Sequence, residues 1–218
     1  MGAPGGVGGR SAAAVERDLA QYYEQEASLR AERDIDPRRV AARGRFVRDL
    51  PAGAAVLEVG MGPGRDAAAF VDAGFSVCGV DLALAHARFA ACTGASPAVA
   101  SVRALPFATA SFDALWSMST LMHVPNAAIA SALSEVRRVL RPGATAAIGV
   151  WGGTNVEGHH DADAFDPPRL FSRRTDQRWR DLLSILGDVE EFEHWRDPSG
   201  SDEHWYQWAI VTASGDHR

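Results

Sequence analysis

Four short runs constrain this chain more than any other feature: AAVLEV (54–59), FSVCGV (75–80), FDALWSM (112–118) and ATAAIGVW (144–151). Strands with one face in water carry a polar residue at alternate positions; these runs are close to continuously apolar, so both faces are covered. Helical segments separate them. Residues 65–73 end at Gly74, 82–92 at Gly94, and 128–140 at Arg141–Pro142–Gly143. Apolar strands alternating with helices predict an α/β domain with a doubly wound, mostly parallel sheet, whose ligands bind at the carboxyl ends of the strands. A short run at 97–102 and two C-terminal runs, VEEFEHWR (189–196) and HWYQWAIVTA (204–213), bring the sheet to seven strands. The last two read as an antiparallel hairpin that closes it.

The remaining segments frame this core. Residues 1–11 are glycine-rich and read as a disordered tail. Residues 12–33 and 38–50 have helical composition, with Asp36–Pro37 between them, and form an N-terminal helical lid (12–50). The core then spans 51–151. A polar loop at 152–174 and a helix at 175–186 precede the hairpin, so 152–218 supplies a substrate loop and the closing strands. No internal repeat or second boundary is visible, and 12–218 reads as a single domain.

The first strand feeds directly into VLEVGMGPGRD, with glycines at 60, 62 and 64. A dinucleotide turn needs G-x-G-x-x-G so that a pyrophosphate can sit on the helix N-terminus. Counting from Gly60, the third glycine would fall at 65, where Arg65 stands, and Pro63 removes an N–H. The pattern is E-x-G-x-G-x-G, led by Glu58. Asp81 ends the second strand 21 residues after Gly60, where a carboxylate can accept from ribose hydroxyls.

These residues resemble motif I and motif II (GVDLA) of class I S-adenosylmethionine-dependent methyltransferases. RALPFATASFDALWS (103–117) resembles the family's adenine segment, and SEVRRVLRPGATAAIGV (134–150) its later helix, turn and strand. The likeness runs in order from about residue 40 to 151, and four motifs in sequence are more specific than one glycine turn. It implies a Rossmann-like methyltransferase fold, with S-adenosyl-L-methionine as cofactor and S-adenosyl-L-homocysteine as product. By the same resemblance, Gly60, Met61 and Gly62 lie along the methionine and ribose, and Gly64 opens the helix. Asp81 holds the ribose and Leu82 the adenine face. Arg103, Ala104 and Leu105 flank the adenine, Ser117 and Met118 lie by the methionine moiety, and Glu58 braces the glycine turn. Relatives often carry Asp where this chain has Ser101, so either Ser101 makes a weaker adenine contact or backbone groups near Arg103 and Ala104 serve.

Methyl transfer from a sulfonium needs positioning more than covalent help, and a base only where the acceptor holds a tightly bound proton. His123, after the fourth strand, is the candidate base; the plainer alternative is a packing histidine beside the pocket. Tyr22 and Tyr23 on the lid helix, Trp151 at the end of the fifth strand, and Arg169 and Phe171 after the polar loop are candidate substrate contacts. Of the tyrosine pair, one is expected to face the pocket and the other water. The run EGHHDADAFD (157–166) is rich in possible ligands, but adjacent histidines aim poorly at one ion, and it reads as a solvated loop with no metal.

Composition narrows the function class. The 218 residues carry a net charge of −6, with no basic tract, which argues against a nucleic-acid partner. All 22 basic residues are arginine, so lysine chemistry is excluded. No stretch approaches a membrane span, and no apolar leader opens the chain. Cys78 and Cys92 lack metal or redox spacing and read as buried free thiols of a cytoplasmic protein. The reading is a small-molecule methyltransferase, monomer or homodimer, acting on O, N or C. The arginines of 30–48 leave a tRNA or protein methyltransferase as an alternative, although a solvated helix face is the usual explanation of such a run. A cofactor-binding partner or sensor without turnover is the alternative from another class.

Overall fold

The computed structural model describes residues 10–159, 163–196 and 204–215. Most of the expected tail, and the link between the last two strands, lie outside these residues. Ser11, counted with the tail, is the N-cap of α1 (Ala12–Glu32), its Oγ accepting from the Ala14 N–H at 3.2 Å. The α1 positions Val15, Leu19, Tyr22 and Glu26 recur at helical spacing and form its buried face. Asp36 caps α2 (Pro37–Arg48), where Pro37 takes the first-turn position that costs no hydrogen bond.

The order then runs β1 (Ala55–Val59), α3 (Arg65–Asp72), β2 (Ser76–Asp81), α4 (Leu84–Ala90), β3 (Ser96–Val99), β4 (Phe112–Met118), α5 (Ile129–Val139) and β5 (Leu140–Gly152). After β6 (Val156–His159) and β7 (Leu170–Arg173) come α6 (Asp176–Leu183), β8 (Gly187–Arg196) and β9 (Trp205–Ala213). The seven-stranded sheet has the order β3-β2-β1-β4-β5-β9-β8. β1 to β5 are parallel, and β9 runs antiparallel to both β5 and β8. This is the doubly wound sheet with an antiparallel hairpin that the sequence predicts.

Two apolar cores cover the two faces, as the period of two in a strand requires. Leu57, Leu115, Ala146 and Ile148 pack with α5 and α6 residues such as Leu133, Val136 and Leu183. Val56, Ala114, Trp116 and Ala147 pack on the other side with Phe46, Phe70 and Trp208. Trp116 there donates its indole N–H to buried Asp66 at 2.7 Å, and Arg39 and Arg43 of α2 pair with the same carboxylate. Those two arginines are therefore internal anchors of α2 and not part of a solvated helix face.

Three further expectations are corrected. Residues 152–174 contain a small antiparallel sheet, β6 against β7, and are not simply a loop. Its four-residue strands are too short to show a period among the His, Asp and Pro around them. Within the run read as solvated, Asp163 is buried and ion-paired with Arg169; His160 and Asp161 lie outside the described residues. Cys92 is exposed, whereas Cys78 is half-buried; both are free.

Candidate active site

The apolar run of β1 places Glu58 and Val59 at the sheet centre, and the chain must then turn sharply to enter α3. Gly60, Gly62 and Gly64 make this turn with φ of 74°, 54° and 82°, values open to glycine and costly for other residues. A Cβ on Gly60 would lie 1.9 Å from Thr120 Oγ1, and one on Gly64 would lie 2.9 Å from Ala90 Cα. A Cβ on Gly62 would meet nothing within 4 Å, so that backbone faces open space. The Gly60 and Met61 N–H groups donate to the Val80 carbonyl at 2.8 and 3.1 Å, which fixes the turn against β2.

This turn floors a cleft at the carboxyl ends of β1, β2 and β4. Its walls include Gly60 to Pro63, Asp81, Leu82, Ala100, Val102, Met118, Thr120, His123 and, from the lid, Tyr23. Asp81 Oδ2 accepts from the Gly62 N–H and Oδ1 from the Ala83 N–H, both at 2.9 Å, and His86 Nδ1 lies 3.1 Å from Oδ1. Each oxygen of an ionised carboxylate accepts more than one bond, so a second donor can still be met on the cleft side. Glu58 is buried behind the turn. Burial, reinforced by the Asp66 charge, holds its carboxyl well above the usual range, and its Oε2 has no partner among the described residues.

The adenine-side residues are distributed differently from the expectation. Ala100 and Val102 line the cleft; Arg103, Ala104 and Leu105 do not. Arg103 forms a two-point ion pair with Glu16 of α1, and Ser101 donates to the same carboxylate while accepting from the Arg103 N–H. Ser101 is thus part of a clasp on the lid. Leu105 is buried in the core. Ser117 is buried and donates to the Val59 carbonyl at 3.1 Å, bracing β4 against β1, while Met118 reaches the cleft.

His123 sits in a tight turn after β4. Its Nδ1 lies 2.7 Å from the Leu170 carbonyl, which only accepts, so Nδ1 carries the proton. Nε2 is then the acceptor for the Tyr23 hydroxyl at 2.8 Å. Burial, aided by the Arg169 and Arg30 charges, lowers its pKa to about 4, so the ring is neutral near pH 7. Both nitrogens are therefore engaged within the protein, which matches the packing alternative better than a free base. Tyr22 faces neither cleft nor water: it is buried edge-on against Tyr23 and Phe165, with the Arg169 guanidinium 4.5 Å from its ring centroid. Phe171 packs on His123 at 4.6 Å. Arg169, Phe171 and Tyr22 form a layer behind Tyr23 and His123 and do not line the cleft. Trp151 lines a neighbouring cavity.

Sequence reasoning missed Arg30, Arg39, Arg65, His86 and Thr120 on the cleft wall. It also missed Arg174, buried and donating to the Val124 carbonyl at 2.8 Å and to Asn126 Oδ1 at 2.9 Å, which braces the His123 turn. Only the arginine run of 30–48 held a visible signal, and its two structural members could not be separated from the rest by spacing.

A doubly wound sheet with an antiparallel last strand, a glycine turn after β1 and an acid ending β2 define the class I methyltransferase fold. Residues 57–148 match the family described as a methyltransferase domain. The malonyl-(acyl-carrier protein) O-methyltransferase of Pseudescherichia vulneris is 31% identical over 171 residues, covering 77% of this chain and 64% of that protein. An uncharacterized methyltransferase of Mycobacterium sp. (strain KMS) is 41% identical over 107 residues, 47% of this chain and 42% of that one. The chain thus spans less than two thirds of the length of both. Among solved structures, the 1,6-didemethyltoxoflavin-N1-methyltransferase of Burkholderia thailandensis, with bound 1,6-didemethyltoxoflavin and S-adenosylhomocysteine, superposes with a TM-score of 0.77. That match covers 98% of this chain and 95% of the other at 22% identity, a likeness of fold. Among the described residues, no helix is long and apolar enough to cross a membrane.

Proposed function

We propose that this chain is a methyltransferase that binds S-adenosylmethionine in the cleft above β1, β2 and β4 and methylates a small molecule at O, N or C. The observation that carries this reading is the pairing of an open glycine turn with Asp81 across one cleft. Gly62 leaves room for a ligand against its backbone, and Asp81 has accepting capacity left for ribose hydroxyls. The unpartnered Oε2 of Glu58 fits a site that holds a cationic group nearby. Leu82, Ala100 and Val102 supply an apolar slot for a flat base.

When bound, the cofactor supplies an activated methyl group. The chain's own residues position and enclose. Gly60 to Gly62 set the floor, Asp81 orients the sugar, and Met118 and Thr120 border the far end. Tyr23, held by His123, closes the top and excludes water. With both His123 nitrogens engaged, that ring is not a free base, which suits an acceptor that is already a nucleophile or loses its proton to water.

A titration with S-adenosylhomocysteine, followed by mass spectrometry of candidate acceptors, tests the reading. Micromolar binding is expected, with Asp81→Ala weakening it about tenfold or more through lost hydrogen bonds to a charged acceptor. Unchanged affinity in that variant removes Asp81 from the site. Binding with no methylated product from any acceptor favours the sensor or partner alternative. The small-molecule reading draws support from the acidic net charge, and the cytoplasmic assignment is proposed on the same composition.

A further inference from the structure

A second cavity lies under the link between α1 and α2 and joins the first along Arg30, Arg39, Arg65 and Ser119. The join is at the Met118–Thr120 end of the cleft, away from Asp81, Ala100 and Val102. With the cofactor in the first cleft, this is the end from which the methyl group leaves, so the role of the second cavity rests on the proposed function. Ser119 at the junction has a φ of 56°, a strained conformation for a non-glycine residue. Its N–H is tied to the Gly149 carbonyl at 2.7 Å and its Oγ lies 3.3 Å from the Tyr206 hydroxyl. Strain held this firmly between two cavities is a mark of a functional boundary.

The walls of the second cavity combine two chemistries. One wall is aromatic: Trp195 stacks on Tyr206 at 5.5 Å and 15°, and Trp151 meets Tyr206 edge-on at 5.3 Å. The other wall is cationic, six arginines against Asp34 and Asp36, in a protein whose net charge is −6. Most of these arginines have counter-charges. Arg30 and Arg33 pair with Glu26, Arg38 with Asp36, and Arg39 with Asp66. Arg65 has no hydrogen bond or ion pair to any described residue. It is half-buried and lines both cavities. Burial and the nearby charges of Arg39 and Arg30 disfavour its own charge, and Asp66 and Asp34, felt only at a distance, do not restore it. An unpaired guanidinium next to two others is a site short of an anion, and a guanidinium's fork matches a carboxylate with two hydrogen bonds.

We propose that the second cavity is the acceptor site and that it takes a planar aromatic or heteroaromatic acid, its carboxylate on Arg65 and its ring against Trp151, Trp195 and Tyr206. The aromatic wall sets the plane of the acceptor, and Arg65 fixes which edge turns toward the Ser119 junction. A neutral planar molecule would leave Arg65 unpaired, and an aliphatic anion would leave the aromatic wall unused.

Calorimetric titration with salicylate and 2-naphthoate, each against its neutral amide, tests this, with and without saturating S-adenosylhomocysteine. Each acid is expected to bind about tenfold or more tightly than its amide, the increment of a charge-assisted pair over a neutral contact. Arg65→Gln should bring that ratio close to one. Trp151→Ala should weaken acid and amide alike, and the Trp151 indole N–H resonance should shift in the unmutated protein on titration. Equal affinity for acid and amide, or a preference that survives Arg65→Gln, overturns the proposal. So does a loss of S-adenosylhomocysteine affinity in Arg65→Gln as large as the loss for the acid, because Arg65 would then serve the cofactor. If S-adenosylhomocysteine does not bind the unmutated protein at all, the proposed function fails while the acid-to-amide ratio still reads the second cavity.

Discussion

Gly60 meets two demands at once: a left-handed backbone and a neighbour, Thr120, that leaves no room for a Cβ. Gly60→Ala is therefore expected to cost about 2–4 kcal/mol in urea unfolding, a strain and a clash together. Adding Thr120→Gly should recover the clash part only. A cost under about 0.5 kcal/mol would mean that the turn relaxes without strain. His123 makes a separate prediction. The folded protein keeps its ring neutral with a pKa of about 4, whereas the unfolded chain takes up a proton below about pH 6.5. Below 6.5 the unfolded state binds more protons, so the residue's contribution is whole above pH 6.5 and falls as the pH drops toward 4. Relative to His123→Gln, the unmutated protein should lose up to about 3 kcal/mol across that window. Parallel pH profiles for the two proteins would refute the neutral, buried assignment.

At the scale of elements, α1 is fastened over the cleft by side chains reaching different partners. Glu16 meets Arg103 and Ser101, Tyr23 meets His123, and Glu24 accepts from the Ala85 N–H at the start of α4. The Glu16–Arg103 pair is half-exposed, so its loss should change global stability by only about 0–1 kcal/mol. Its larger effect is local. Arg103→Ala should speed amide exchange in residues 12–20 several-fold while β1 and β4 remain protected, as read by hydrogen exchange. Equal exchange in α1 with and without Arg103 would show that the clasp does not hold the lid. The same elements explain why Arg103, expected beside the adenine, clasps the lid instead: its place before LPF follows the family pattern, while its partner lies 87 residues earlier, on a helix whose docking no local pattern encodes.

The whole molecule couples these parts, because the cleft is made where the ends of β1, β2 and β4 meet the lid. A ligand that fills it should stabilise the fold as a unit. S-adenosylhomocysteine at about 100 times its Kd should add roughly 2.7 kcal/mol, raising Tm by about 5–10 °C in a domain of this size. NAD, whose pyrophosphate finds no G-x-G-x-x-G turn here, should leave Tm nearly unchanged; a comparable shift with NAD would contradict the cofactor assignment. The join between the two cavities belongs to this scale too. Arg65 comes from α3, Trp151 from β5 and Trp195 from β8, and only the assembled sheet with its hairpin brings them together.

By itself the sequence determined the strand and helix order of the main sheet, its parallel core, the closing hairpin, the glycine turn and the place of Asp81; the small β6–β7 sheet escaped it. Each of these is written in local pattern: apolar runs that do not alternate, helices stopped by glycine or Pro–Gly, three glycines where the backbone turns left-handed. Tertiary structure decided how residues far apart in the chain meet. It turned Ser101 and Arg103 toward Glu16, tied both nitrogens of His123 to Leu170 and Tyr23, buried Tyr22 behind the site and made Arg39 and Arg43 anchors of Asp66. A side chain's type and spacing do not say which distant donor or acceptor will satisfy it. Burial does, because a polar group removed from water takes the partner that packing brings within reach. Arg65 is the converse case: packing set it beside other arginines and brought no acid of the described residues within bonding distance, and no pattern along the chain could have shown that.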